Sequence, residues 1–375
     1  MSARRKFVTI NLFKKDTKKS AARSSSMWQR EQKDKKKRKN FRKFFFGLFL
    51  FGLLTTFYFL NYFRAVVVNP YHPLPTNIDY SSNPNQNYRV NILLIPSDRE
   101  RTLRDLVLAT YNKEEGTLKW LKIPTGVYLN LPSDYGWGDL RSAYLLGQTE
   151  EKQKGVDVLV RGVELLLAAK VDGYITVDDS TVRFDDEGLD RIRKYVFGPT
   201  FFMKSLAVND YLTTKVHTSL TPWSLASLSL KAKGVRFDKV KFKDLSDFTG
   251  EEERDSQKYL VMDVASLDNY LKEVLAEPKI MADLAKIEVR NSTKKAGLAS
   301  LAARVITNLG GNVVYTGNSD DNLDQTKILV YGNRYRTADR LGEVLGAKIE
   351  NKKPDTEVRG DVVIQVGLDF FERIK

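Results

Sequence analysis

The chain has 375 residues, 61 Lys and Arg against 47 Asp and Glu, and no cysteine. The lack of cysteine excludes disulfides, a thiolate nucleophile and a cysteine-based metal centre, and with only His72 and His217 a multi-histidine zinc centre or a histidine-dependent triad lacks its parts. The net charge of +14 suggests nucleic acid until it is located: residues 1–43 hold 17 basic and three acidic side chains and the other 332 hold 44 of each, so no folded part carries the basic surface a nucleic acid needs.

In chain order, residues 1–43 are polar and basic with no sustained apolar period, and read as a disordered tail. They serve as a topology signal and also suit anionic lipid headgroups. Residues 44–63 (FFFGLFLFGLLTTFYFLNYF) are twenty consecutive uncharged residues. A helix of that length spans the ~30 Å hydrocarbon core of a bilayer. The basic run 35–39 directly before it places the N-terminus in the cytoplasm and everything after it outside. The expectation is a single-pass cell-membrane protein with extracytoplasmic C-terminal domains. Residues 64–88, with Pro70, Pro73, Pro75 and Pro84, predict an extended stalk.

Residues 89–275 read as an α/β domain, a central sheet flanked by helices. Residues 90–95, 106–110 and 118–123 are short apolar runs of buried-strand type. Residues 154–169 place Val156, Leu159, Val160, Val163, Leu166 and Leu167 at helical spacing, and 174–177 reads as another strand. Segments 224–230, 239–242, 259–262 and 266–275 complete the domain less clearly. Residues 276–285 are expected to be a linker. Residues 286–371 then predict a small α+β unit in the order βαββαβ, a ferredoxin-like sandwich. Its strands are 287–289, 312–316, 326–331 and 361–366; its helices are 294–309 and 336–345. Asn291-Ser292-Thr293 offers cap or turn chemistry before the first helix and also fits a glycosylation sequon.

The densest polar cluster follows the first apolar strand: Asp98, Arg99, Glu100, Arg101, then Arg104 and Asp105. In a parallel α/β sheet the loops at the carboxyl ends of strands line the ligand crevice. A carboxylate there can hold Mg²⁺, and guanidiniums match phosphate oxygens. Asp98 with Arg99, Arg101 or Arg104 is thus a candidate pyrophosphate and metal site; a solvated charged loop is the plainer reading of the same residues.

The segments NILLIPSD, RDLVLATYN, KIPTGVYLNLP and DLRSAYLLGQ together resemble a divergent LytR-CpsA-Psr domain. VRNSTKKAGLA, with TKILVYGN and GDVVIQVGLDF, is similar to the LytR C-terminal domain. The resemblance implies transfer of glycopolymers from polyprenyl-pyrophosphate carriers to peptidoglycan, using Mg²⁺ with Asp and Arg around the pyrophosphate. Carried over, it makes Asp98, Arg104 and Asp105 the candidate catalytic residues, with Asp98 and Asp105 on the metal. Arg99, Arg101 and Arg141 would bind pyrophosphate. The chain departs from the pattern where Thr125 and Gly126 replace an Arg and an Asp, and where Arg141 replaces an Asn beside the retained Ala143-Tyr144. Two functions follow: a cell-wall assembly protein that keeps the fold with a degenerate pyrophosphate site, and an active Mg²⁺-dependent transferase. The implied partners are membrane lipids and a polyprenyl-pyrophosphate glycan or peptidoglycan.

Overall fold

The computed structural model describes residues 46, 49–64, 73, 74, 76, 78, 80, 88–97, 103, 106–132, 135–149, 155–179, 187–188, 215–331, 336–353 and 358–374. Two compact units result, Met1–Val66 and Val67–Lys375. In the first, residues 49–64 form a helix, α1, with exposed side chains that include Phe49, Phe57 and Phe63. No helix among the described residues is long and apolar enough to cross a membrane. The expected span of 44–63 includes Phe44, Phe45, Gly47 and Leu48, which lie outside the described residues.

In the second unit the apolar runs become strands β1 (Arg89–Ser97), β2 (Leu106–Asn112) and β3 (Thr117–Ile123). After a hairpin of β4 (Tyr128–Leu131) and β5 (Gly136–Asp139) come helices α2 (Leu140–Thr149) and α3 (Gly155–Leu167). Strands β6 (Gly173–Asp178) and β7 (Val216–Thr218), helix α4 (Pro222–Lys233) and strand β8 (Val240–Asp244) follow. Six strands form one sheet in the order β7-β6-β1-β2-β3-β8. A second hairpin, β9 (Thr249–Arg254) with β10 (Gln257–Met262), leads to helix α5 (Val264–Leu275).

Side-chain alternation along the strands sets the two faces of this sheet. Leu93, Ile95, Leu106, Leu108, Leu121 and Tyr174 face α3 and α5, while Val90, Ile92, Leu94, Val107 and Val177 pack towards Leu225 and Leu228 of α4. The central sheet is covered on both faces, as its apolar runs predict. It is mixed, however: β1 pairs antiparallel with β2 and β2 with β3, while β1 with β6 and β3 with β8 are parallel. Only eight residues separate β1 from β2, too few for the crossover that parallel pairing needs.

The expected stalk is partly docked. Leu74, Ile78 and Tyr80 lie against the core. Leu74 N–H donates to Tyr174 Oη at 3.0 Å, and Thr76 Oγ1 donates to Asp157.

The expected linker holds helix α6 (Pro278–Asp283) and the buried Glu277. Beyond it lie β11 (Lys286–Asn291), α7 (Leu298–Asn308), β12 (Asn312–Asn318), β13 (Lys327–Tyr331), α8 (Arg336–Leu345), β14 (Lys348–Lys352), β15 (Val362–Val366) and α9 (Leu368–Ile374). The ferredoxin-like expectation is corrected here. The sheet has five strands in the order β12-β11-β15-β13-β14, with β11–β12, β11–β15 and β13–β14 parallel and β13–β15 antiparallel. Each βαβ unit places its two strands side by side, whereas a ferredoxin-like sheet inserts a strand between them. The fifth strand, KIENK, has one apolar residue and lies at the edge, where nothing requires an apolar run.

Helix α7 begins at Leu298 behind Gly297, whose φ of 84° needs a glycine. Asn291 therefore does not cap it. Its Oδ1 accepts from Thr293 N–H at 3.1 Å and its Nδ2 donates to Lys295 O at 2.7 Å, fixing the preceding turn.

Candidate functional site: the carboxyl edge of the six-stranded sheet

Strands β1, β3, β6 and β8 point the same way, so their last residues share one edge of the sheet. Ser97 ends β1 directly beside Asp178, the last residue of β6. Strand β2 begins at Leu106, which pairs with Ile123. Leu103, within the polar cluster of the sequence, is buried in the core. Asp98, Arg99, Arg101, Arg104 and Asp105 lie outside the described residues.

Two carboxylates absent from the expected site stand on the same edge. Asp178 Oδ2 lies 3.9 Å from His217 Nε2 of β7, with both side chains about 30% exposed. Asp244 ends β8 and meets Lys122 Nζ at 3.2 Å. Burial alone would raise the Asp244 carboxyl, but hydrogen bonds from Ser246 N–H and Oγ, and Lys122, hold it below its usual range. The signal was present in the sequence: YITVD and VKFKD each end a strand in an acid.

The turn after β3 carries Thr125 and Gly126 and meets the start of α2 at Arg141. Thr125 is buried, and its carbonyl accepts Arg141 N–H at 3.1 Å. Asp139 Oδ1 accepts Ser142 N–H at 2.6 Å and so caps α2, which buries Ala143 and Tyr144 and leaves the Arg141 side chain exposed. Thr125 and Arg141 are thus joined through backbone rather than through charged groups. The retained Ala143-Tyr144 pair is core.

Among the described residues no group of three or more His, Asp or Glu comes together to hold a metal ion. Asp178 and Asp244 stand on strands separated by β1, β2 and β3. The described residues therefore do not by themselves fit Mg²⁺.

Comparison with known proteins gives the following. Residues 285–370 match the family model described as LytR cell envelope-related transcriptional attenuator. No curated protein matches the chain. Among solved structures, TagT bound to LI-WTA is similar at 18% identity and a TM-score of 0.37, covering 56% of this chain and 96% of that one. B. subtilis TagT is similar at 16% identity and a TM-score of 0.36, covering 56% and 97%. The LytR-CPS2A-psr family protein YwtF (TagT) with bound octaprenyl pyrophosphate lipid is similar at 17% identity and a TM-score of 0.35, covering 56% and 97%.

Proposed function

We propose that the chain is a membrane-anchored protein of cell-wall assembly that keeps a LytR-CpsA-Psr-like domain with a degenerate pyrophosphate site. The observation that carries this reading is the match of residues 285–370 to a cell-envelope family model, on a chain whose first sheet bears the LytR-CpsA-Psr-like segments. The buried Thr125 stands where that family has an arginine, and a threonine supplies no charge to a pyrophosphate. Each missing charge-assisted hydrogen bond lowers binding by ~1.5–3 kcal/mol. Residues 44–63 anchor the chain from the cytoplasmic side, with the basic tail against anionic lipid, and the two sheets stand outside.

The alternative is an active Mg²⁺-dependent transferase built on Asp98 and Asp105. The full chain in detergent, supplied with a short-chain polyprenyl-pyrophosphate glycan and a peptidoglycan acceptor, distinguishes the two. Weak binding indifferent to magnesium, with no transfer, supports the proposal. Magnesium-dependent transfer that Asp98→Asn abolishes overturns it in favour of the enzyme.

A further inference from the structure

Helix α4 carries apolar residues on two opposite sides. Leu225 and Leu228 pack against the cluster of Val90, Ile92, Leu94 and Val107 on the first sheet. At about 100° per residue, Trp223, Ala226 and Leu230 fall on the side turned away from that cluster. There Trp223 is 54% exposed and Leu230 71%. A helix that is apolar all round is ordinarily buried all round, and this one is covered on one side only. Its first turn is fixed: Thr221 Oγ1 accepts Ser224 N–H at 3.1 Å and Pro222 takes the first position. The exposed stripe therefore sits on a capped and packed helix.

The charge along this stretch of chain has one sign. Residues 211–237 hold Lys215, Lys231, Lys233 and Arg236 and no acid, and Asp238 pairs with Arg236 at 3.1 Å. Lys231 and Lys233 lie in the last turn, on either flank of the stripe that reaches Leu230. Lysines so placed keep their ammonium groups at a charged surface while their methylenes follow the apolar residues into it. A second copy of the chain across a two-fold contact would set the same cations against each other, so the face suits an anionic partner.

We propose that the outer face of α4 docks on an anionic bilayer, with Trp223, Ala226 and Leu230 entering the boundary of the acyl chains and Lys231 and Lys233 on lipid phosphates. Tryptophan favours the interfacial layer of a bilayer, and basic residues add attraction to anionic headgroups. A soluble anionic polymer meets the lysines but leaves Trp223 and Leu230 in water. The inference rests on the proposed anchoring of residues 44–63, which holds the domain beside such a surface.

The chain has no cysteine, so Leu230→Cys carries a single environment-sensitive fluorophore. The full chain is reconstituted in vesicles of phosphatidylcholine, alone or mixed with phosphatidylglycerol, each with a lipid-borne quencher. Phe57→Cys, in α1, and Val314→Cys, exposed on β12, are labelled in parallel. Quenching at residue 230 is expected to be at least about threefold greater in the anionic vesicles, and to fall by about as much when Lys231→Gln and Lys233→Gln are combined. Quenching at 57 with none at 230 overturns the docking and leaves the anchoring standing; quenching at 230 with none at 57 does the reverse. Equal quenching at 230 in both lipids, equal quenching at 314, or undiminished quenching in the lysine variant overturns the proposal. So does a blue shift at 230 without quenching, which a protein partner or a second copy would give.

Discussion

Arg304 of α7 forms a bidentate ion pair with Asp268 of α5, at 2.7 Å from Nε to Oδ2 and 2.9 Å from Nη2 to Oδ1. The same guanidinium donates to the carbonyls of Leu165 and Leu166 at the end of α3, and Asn308 donates to that of Leu167. A cation at a helix C-terminus also complements the helix dipole, so this contact fastens the second sheet to the first at several points. Arg304→Ala leaves Asp268 and the carbonyls without it, at a cost of about 3 kcal/mol. Calorimetry should show one unfolding transition for Val67–Lys375 in the parent and two in the variant.

Glu164 on α3 is held protonated well into the neutral range. Burial pushes its carboxyl up to about 7, against the opposing hydrogen bond from Val171 N–H at 2.8 Å and the nearby Arg373 and Lys170. The folded state therefore binds this proton more tightly than the unfolded one. The stabilisation is complete below about 4.5 and is lost as the pH rises to about 7. Partial exposure of the side chain reduces the full conversion to about 2 kcal/mol. Glu164→Gln should gain about that much relative to the parent between pH 5 and pH 8, measured as the difference in urea midpoints.

Tyr80 and Tyr174 stack edge to face at 5.6 Å but use their hydroxyls differently. Tyr174 Oη accepts Leu74 N–H, whereas Tyr80 Oη is buried with no partner. Removing an unsatisfied buried hydroxyl relieves its desolvation cost, and removing a bonded one strands the partner. Tyr80→Phe is expected to raise stability by about 1 kcal/mol and Tyr174→Phe to lower it by about as much. Denaturant unfolding of the two variants shows whether the signs are opposite.

Charged substitutions in the turn after β3 should meet different resistance at Thr125 and Gly126. A Cβ added to Gly126 has no atom within 4 Å, so Gly126→Asp is expected to change stability by less than about 0.5 kcal/mol. Thr125 is 7% exposed, so Thr125→Arg places a long cation where there is no room and costs about 2 kcal/mol or more. Thermal melts of the single variants check both.

Strands β1, β2 and β6 were legible because burial on both faces of the sheet demands near-continuous apolar runs, and helix α3 because its apolar residues fall at helical spacing. The hairpin of β4 and β5 was not: Tyr128–Leu131 and Gly136–Asp139 are four residues each, and their pairing is local. Strand β14 escaped for the opposite reason, as an edge strand it needs few apolar residues. Of the expected site residues only Arg141 falls within the described residues, with its side chain exposed at the start of α2. Among the described residues, Asp178 and Asp244 on the carboxyl edge sit far apart in sequence, and only strand order shows that they share it.

The strap through Leu74, Thr76 and Tyr80 also has a mechanical consequence. Tension arriving along the backbone from residues before Pro73 meets the bonds to Tyr174 and Asp157 before it reaches β1. Those bonds lead into β6 and α3, at the middle of the fold, and β1 itself lies between β6 and β2 inside the sheet. A pull is therefore met first at β6 and α3, before any edge strand of the sheet is loaded.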